Sequence, residues 1–154
     1  MGRGGKDLGI NFVIMKRLML VGETFSGKSS LIRELSGQDY LPNRAMAVEY
    51  HGQFIYTPGE FLENRRFYHA LITTSADCEV MAFVHSATSP TSLYPPLFGS
   101  MFNRKVIGII SKADGAAANI ERSQLFLKNA GVQQMVVTSC VTGAGLDTLR
   151  QLLS

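Results

Sequence analysis

Residues 22–29 read GETFSGKS. Gly22, four variable residues, Gly27, Lys28 and Ser29 satisfy the pattern of a phosphate-binding loop, and each conserved chemical type in that pattern has a physical reason. Glycines let backbone N–H groups turn toward a polyphosphate, and the N-terminus of a following helix adds a favourable dipole. The lysine reaches the β- and γ-phosphates, and the serine hydroxyl serves magnesium. The pattern has this meaning only between a strand and a helix. KRLMLVG (16–22) is the apolar run of a buried strand, and the stretch from Gly27 to Leu35 reads as a helix. Gly22, Glu23, Thr24, Phe25, Ser26, Gly27, Lys28, Ser29 and Ser30 are therefore the candidate nucleotide-binding loop, with Ser29 as candidate metal ligand.

Working outward from the loop, apolar runs alternate with helical patterns. The stretch from Gly37 to Met46 is polar and contains proline; AVEYH (47–51) and QFIYT (53–57), separated only by Gly52, read as two short strands joined by a tight turn. RFYHALITTS (66–75) reads as helix, and VMAFVHS (80–86), VIGIIS (106–111) and MVVTS (135–139) as strands. IERSQLFLKNAG (120–131) is a helix with Gly131 as its stop, and GLDTLRQLL (145–153) is a last helix. Strands alternating with helices imply an α/β fold with a mostly parallel sheet covered on both faces. Residues 1–14, with four glycines and no periodicity, read as a flexible extension, or as sequence upstream of a start at Met15.

Composition narrows the function. At 154 residues and 45% hydrophobic, the chain suits one domain with one substantial core, spanning 15–154. A net charge of +3, with basic residues in pairs such as Lys16–Arg17 and Arg65–Arg66, argues against nucleic-acid binding. Cys78 and Cys140 form no metal-ligand spacing and no disulfide framework, which fits a reducing cytoplasm. The apolar stretch INFVIM (10–15) is cut by Lys16–Arg17 and followed by no cleavage site, so it reads as neither membrane span nor signal peptide.

A second motif, SKAD (111–114), directly follows the VIGII strand. In a nucleotide pocket Lys112 lays its aliphatic stem along the base, and the Asp114 carboxylate accepts from guanine N1–H and N2–H. Adenine offers no such donor pair, and the unpaired carboxylate discriminates against it. Ser111 is shorter than the Asn or Thr usual at its position. TSCVTGAG (138–145) follows the next strand, where the backbone near Ser139 and Cys140 is expected at the base edge; the Cys140 thiol itself reads as a small packed side chain.

These elements in this order resemble a small Ras-like P-loop NTPase. More closely, the chain resembles the EutP/PduV family, small P-loop proteins of ethanolamine and propanediol utilisation. The resemblance rests on MKRLMLVG (15–22), GKSS (27–30), TPGEFLENR (57–65), SLYPPLF (92–98), NRKVIGIISKAD (103–114) and TSCVTGAGLDTLR (138–150). It implies GTP, GDP or ATP as ligand, magnesium as cofactor, and a partner in a bacterial microcompartment shell or in the pathway itself.

Two positions depart from the family pattern. Where relatives resemble IDTPGE this chain has IYTPGE, so the acid that holds magnesium through water is replaced by Tyr56, and an expected loop threonine falls at Ala45. Tyr56 offers a phenol with no charge at neutral pH, or a strand-end aromatic packed over the core. Glu60 stands where Ras-like proteins orient a water, but like-charge repulsion beside a γ-phosphate argues against that role. Arg65 and Arg66 are candidates for a charge-stabilising finger or a solvated face. His51, His69 and His85 share no metal-binding spacing. SLYPPLFGSMF (92–102) is proline-broken where a Ras-like domain has a helix, and reads as a partner surface or as a loop folded over the sheet edge. Three functions follow: a nucleotide-binding accessory protein with weak or absent hydrolysis, a GTPase activated by a partner, or an ATP-dependent acetate kinase, the last implied by the family alone.

Overall fold

A computed structural model describes residues 16–43 and 46–154. The expectations for residues 1–14, for Met15 and for Ala45 lie outside the described residues. The chain runs β1 (Leu18–Val21), α1 (Lys28–Ser36), β2 (Glu49–His51), β3 (Phe54–Tyr56), α2 (Glu60–Glu63) and α3 (Tyr68–Thr74). It continues with β4 (Val80–Ser86), β5 (Lys105–Ser111), α4 (Ile120–Asn129), β6 (Gln134–Val137) and α5 (Leu146–Leu153). The six strands form one sheet in the order β2-β3-β1-β4-β5-β6. Only the β2–β3 hairpin, turned at Gly52 with φ 58°, is antiparallel.

Alternation along the strands divides the core into two layers. Leu18, Leu20, Ala82, Val84, Ile107 and Ile109 pack against Leu31 and Ile32 of α1 and Leu149 and Leu153 of α5. Met19, Val21, Met81 and Phe83 point the other way, toward Leu62 of α2, Leu71 of α3 and Leu127 of α4. Both faces of the parallel strands are thus covered, which is why LMLV and VMAFVHS read as unbroken buried runs. RFYHALITTS is not one helix: a 3-10 turn at Arg65–Phe67 precedes α3 and another at Ser75–Asp77 ends it. The single turn of α2 carries no sequence periodicity long enough to be read.

The proline-broken tract folds back on the sheet. Pro95 and Pro96 preclude the N–H bonds of a helix, and Tyr94, Phe98 and Phe102 instead bury their rings around Phe83, with Tyr94 stacked on it at 5.0 Å. Leu93 and Leu97 remain exposed. The Tyr94 hydroxyl shares its proton between the carbonyl oxygens of Val21, at 2.9 Å at the end of β1, and Val84, at 2.8 Å within β4. This buried hydroxyl fixes the end of β1, from which the 22–27 loop departs. Tyr94→Phe is expected to lower stability by about 1 to 2 kcal/mol, since two buried carbonyls lose their shared donor. Urea denaturation measures it, and an unchanged midpoint would remove the role assigned to that hydroxyl.

Candidate functional site

Between β1 and α1 the chain turns so tightly that Gly22 has no room for a side chain: a Cβ would meet Ser26 Oγ at 2.5 Å and Val84 O at 2.9 Å. Gly27, at φ 106°, caps α1 in the left-handed region. Phe25 adopts φ 68° without being glycine, and its side chain is 86% exposed at the rim. A non-glycine residue in this region is strained, a condition that concentrates at functional loops.

Lys28 is almost wholly buried and turns back over its own loop. Its Nζ donates to Gly22 O at 2.6 Å and Glu23 O at 2.9 Å and lies 5.6 Å from the centre of the Tyr56 ring. Burial pulls its pKa down to about 8, against the opposing influence of Glu63, Glu60 and Glu23. The partners of the ammonium are thus backbone carbonyls of its own loop. Tyr56, half-buried at the end of β3, shows a phenol pKa raised by desolvation and then by Glu60, Glu49 and Glu63, so it stays neutral. Its ring also lies 6.0 Å from that of Tyr40, whose hydroxyl donates to Glu49 at 2.7 Å. The strand-end aromatic is thus packed and simultaneously faces the loop lysine.

Two clefts open along the loop. One, of about 270 Å³, is lined by Thr24, Phe25, Gly27, Lys28, Ser29, Ser30, Tyr56 and Lys112. The other, of about 370 Å³, is bounded by Gly27, Ser30, Ser111, Lys112, Asp114 and Cys140 among others. They share Gly27, Ser30 and Lys112 as a common border. Thr24, Phe25, Gly27, Lys28, Ser29, Ser30, Lys112, Asp114 and Cys140 border these clefts. Ser111 Oγ donates to Ser26 O, so even the short side chain ties β5 to the loop. Lys112, itself at φ 57°, donates from Nζ to Phe25 O at 2.6 Å. Ser139 Oγ donates to Asp114 Oδ1 at 2.7 Å and accepts from the N–H groups of Val141 and Thr142, at 3.2 and 3.1 Å. Cys140 is half-buried at the cleft wall, with its thiol pushed up by burial. Ser30 Oγ accepts from Arg33 at 2.9 Å.

The residues present fit a metal ion poorly. Ser29 borders the cleft, but the position of the expected acid is filled by a neutral phenol whose ring faces a cation. Among the described residues, no three His, Cys, Asp or Glu side chains gather as metal ligands. Arg65 and Arg66 are exposed, with Arg66 lying over the Phe67 ring at 4.9 Å. His69 is exposed, His51 packs on Tyr40, and buried His85 bonds Ser123 Oγ at 2.8 Å and Thr91 O at 2.9 Å.

Sequence reasoning missed Glu63. Its carboxylate accepts from the backbone N–H of Thr24 at 2.7 Å. The approach needs Gly59, where a Cβ would lie 2.3 Å from Thr24 N. Glu60 and Glu63 are three apart on a helical turn, which puts both on one face, but one turn is too short for the sequence to announce it.

Comparison with known proteins follows the same features. The chain is 36% identical over 136 residues to the propanediol utilization protein PduV of Citrobacter freundii, covering 88% of this chain and 91% of that one. It is 35% identical over 122 residues to a protein named probable acetate kinase EutP from Escherichia coli strain K12, covering 78% and 77% respectively. Among solved structures, the cytosolic domain of the T. maritima FeoB iron transporter in GMPPNP form aligns with a TM-score of 0.58 at 22% identity. That alignment covers 90% of this chain and 62% of the other, and the likeness is one of fold, that of P-loop GTPases. The family described as ethanolamine utilisation and propanediol utilisation, PduV-EutP, matches residues 15–154, and the chain belongs to it.

Proposed function

We propose that the protein is a guanine-nucleotide-binding accessory protein of ethanolamine or propanediol utilisation, with weak or absent intrinsic hydrolysis. The observation that carries this reading is the pair of adjoining clefts with a carboxylate in one, Asp114, and a buried ammonium in the other, Lys28. In this reading Asp114 accepts from the guanine edge, held in place by Ser139, while the Lys112 stem lies along the base. The N–H groups of the 22–30 loop and Lys28 take the phosphates. Tyr56 in place of an acid, with its ring toward Lys28, supports binding that depends little on magnesium and a site without a strong means of activating water. Residues 15–154 act as one nucleotide-binding domain, and its partner is a pathway or microcompartment protein.

Titration calorimetry with GDP, GTP and ATP, each with magnesium and with chelator, tests the proposal. The expected outcome is guanine-selective binding that barely changes when magnesium is removed. In Tyr56→Asp, magnesium is expected to strengthen binding by about 10- to 100-fold, the range typical of a supporting carboxylate at a metal. No gain would show that the side chain at position 56 is not what limits the metal.

The name of the E. coli relative favours a second reading, phosphoryl transfer from ATP to acetate. Magnesium-dependent ATP binding with acetyl phosphate formation, lost in Lys28→Ala, would put that reading first. Asp114, which in the guanine reading accepts from donors that adenine lacks, weighs against it.

A further inference from the structure

The cleft does not end at Tyr56. A third opening, lined by Thr24, Phe25, Asn43, Tyr56, Pro58, Gly59 and Glu60, shares Thr24, Phe25 and Tyr56 with the lysine cleft. Thr24 lines both the lysine cleft and this third opening, and Asp114 borders the neighbouring cleft on the other side of Gly27. In the nucleotide-binding reading the base lies at Asp114 and the phosphates at Lys28, so the opening beyond Thr24 and Tyr56 is where a further phosphate would extend. There the donor is already taken. Thr24 N–H donates to Glu63 Oε2 at 2.7 Å, and Gly59 presses the start of α2 so closely on Thr24 that not even a methyl group fits between them. A carboxylate oxygen and a phosphate oxygen are equivalent acceptors for an N–H group, but two anions at one donor repel each other.

We propose that Glu63 is a specificity-determining residue of the phosphate loop: bonded to the Thr24 amide, it takes a donor that a terminal phosphate would use, so the resting protein selects nucleoside diphosphates over triphosphates. The proposal rests on the nucleotide-binding reading above. Of the nearby carboxylates, Glu63 raises the Lys28 pKa most, ahead of Glu60 and Glu23. A diphosphate supplies Lys28 with an anion and leaves the Glu63 contact in place. A triphosphate must displace Glu63 from Thr24 or share the donor with it.

The test compares GDP and GTP binding to the full chain by calorimetry, for the wild type, Glu63→Gln and Glu60→Gln. Glutamine keeps an oxygen for the Thr24 N–H and removes only the charge, so the variant retains the local fold, and its thermal midpoint checks this. The wild type is expected to bind GDP at least about tenfold more tightly than GTP. In Glu63→Gln, GTP affinity should rise about tenfold, with GDP affinity changed by less than about twofold. Glu60→Gln, which removes a neighbouring charge but no bond to Thr24, should shift GTP by less than about threefold. Equal wild-type affinities, an equal gain for both nucleotides, or the same effect from Glu60→Gln would overturn the proposal. If GDP binds and Glu63→Gln leaves discrimination intact, only this proposal fails; if no nucleotide binds the wild type, the nucleotide reading fails with it.

Discussion

Lys28→Ala is expected to lower GDP affinity by about 100-fold, the combined worth of charge-assisted hydrogen bonds to phosphate in a partly dry site. The same side chain gives an independent readout without nucleotide. Its folded pKa of about 8 lies below the ordinary lysine value of 10.5, so between the two the unfolded chain holds more protons and stability rises with pH. Cys78 and the buried tyrosines, whose pKa values are raised, act in the opposite direction at higher pH, so the difference between wild type and Lys28→Met isolates the lysine. From pH 8 to 9.5 the wild type is expected to gain roughly 1 to 2 kcal/mol on that variant in chemical denaturation. Saturating GDP should abolish the gain, because bound phosphate holds the ammonium charged. A flat difference across the window would mean that Lys28 is well solvated and that the buried ammonium is not a feature of the fold.

Asp114→Ala should erase the preference for guanine over adenine, a change of about a thousandfold in the ratio of affinities, since two hydrogen bonds to a charged acceptor are lost. Asp114→Asn makes the sharper experiment. An amide offers one acceptor and one donor edge, so the variant should favour xanthine nucleotides, whose C2 carbonyl accepts where guanine donates. Competition among GDP, XDP and ADP for the wild type and both variants decides it. Unchanged selectivity would remove Asp114 from the base site and leave Ser139 as its structural partner alone.

Part of this site was legible without coordinates. The loop from Gly22 to Ser30 announces itself because glycine, lysine and serine at fixed spacing form a local motif between a strand and a helix, and SKAD announces itself by following a strand. Lys112 and Asp114 then meet the loop because β1 and β5 flank β4 in a parallel sheet. The role of SLYPPLFGSMF was open in the sequence, since proline excludes a helix without saying where the aromatic rings go. The structure buries Tyr94 and Phe98 on Phe83 and leaves Leu93 and Leu97 outside.

The sequence by itself determined the α/β architecture and the family, because those depend on local periodicity and on motifs a few residues long. Tertiary structure alone decided how the motifs are used. Glu63 meets Thr24 across 39 residues, and Tyr94 meets Val21 across 73. Tyr56 turns its ring toward Lys28 only because β3 lies beside β1 in register, with Leu20 opposite Tyr56. Such contacts depend on the register of strands and the close approach of Gly59 to the loop, and neither is written in any one segment.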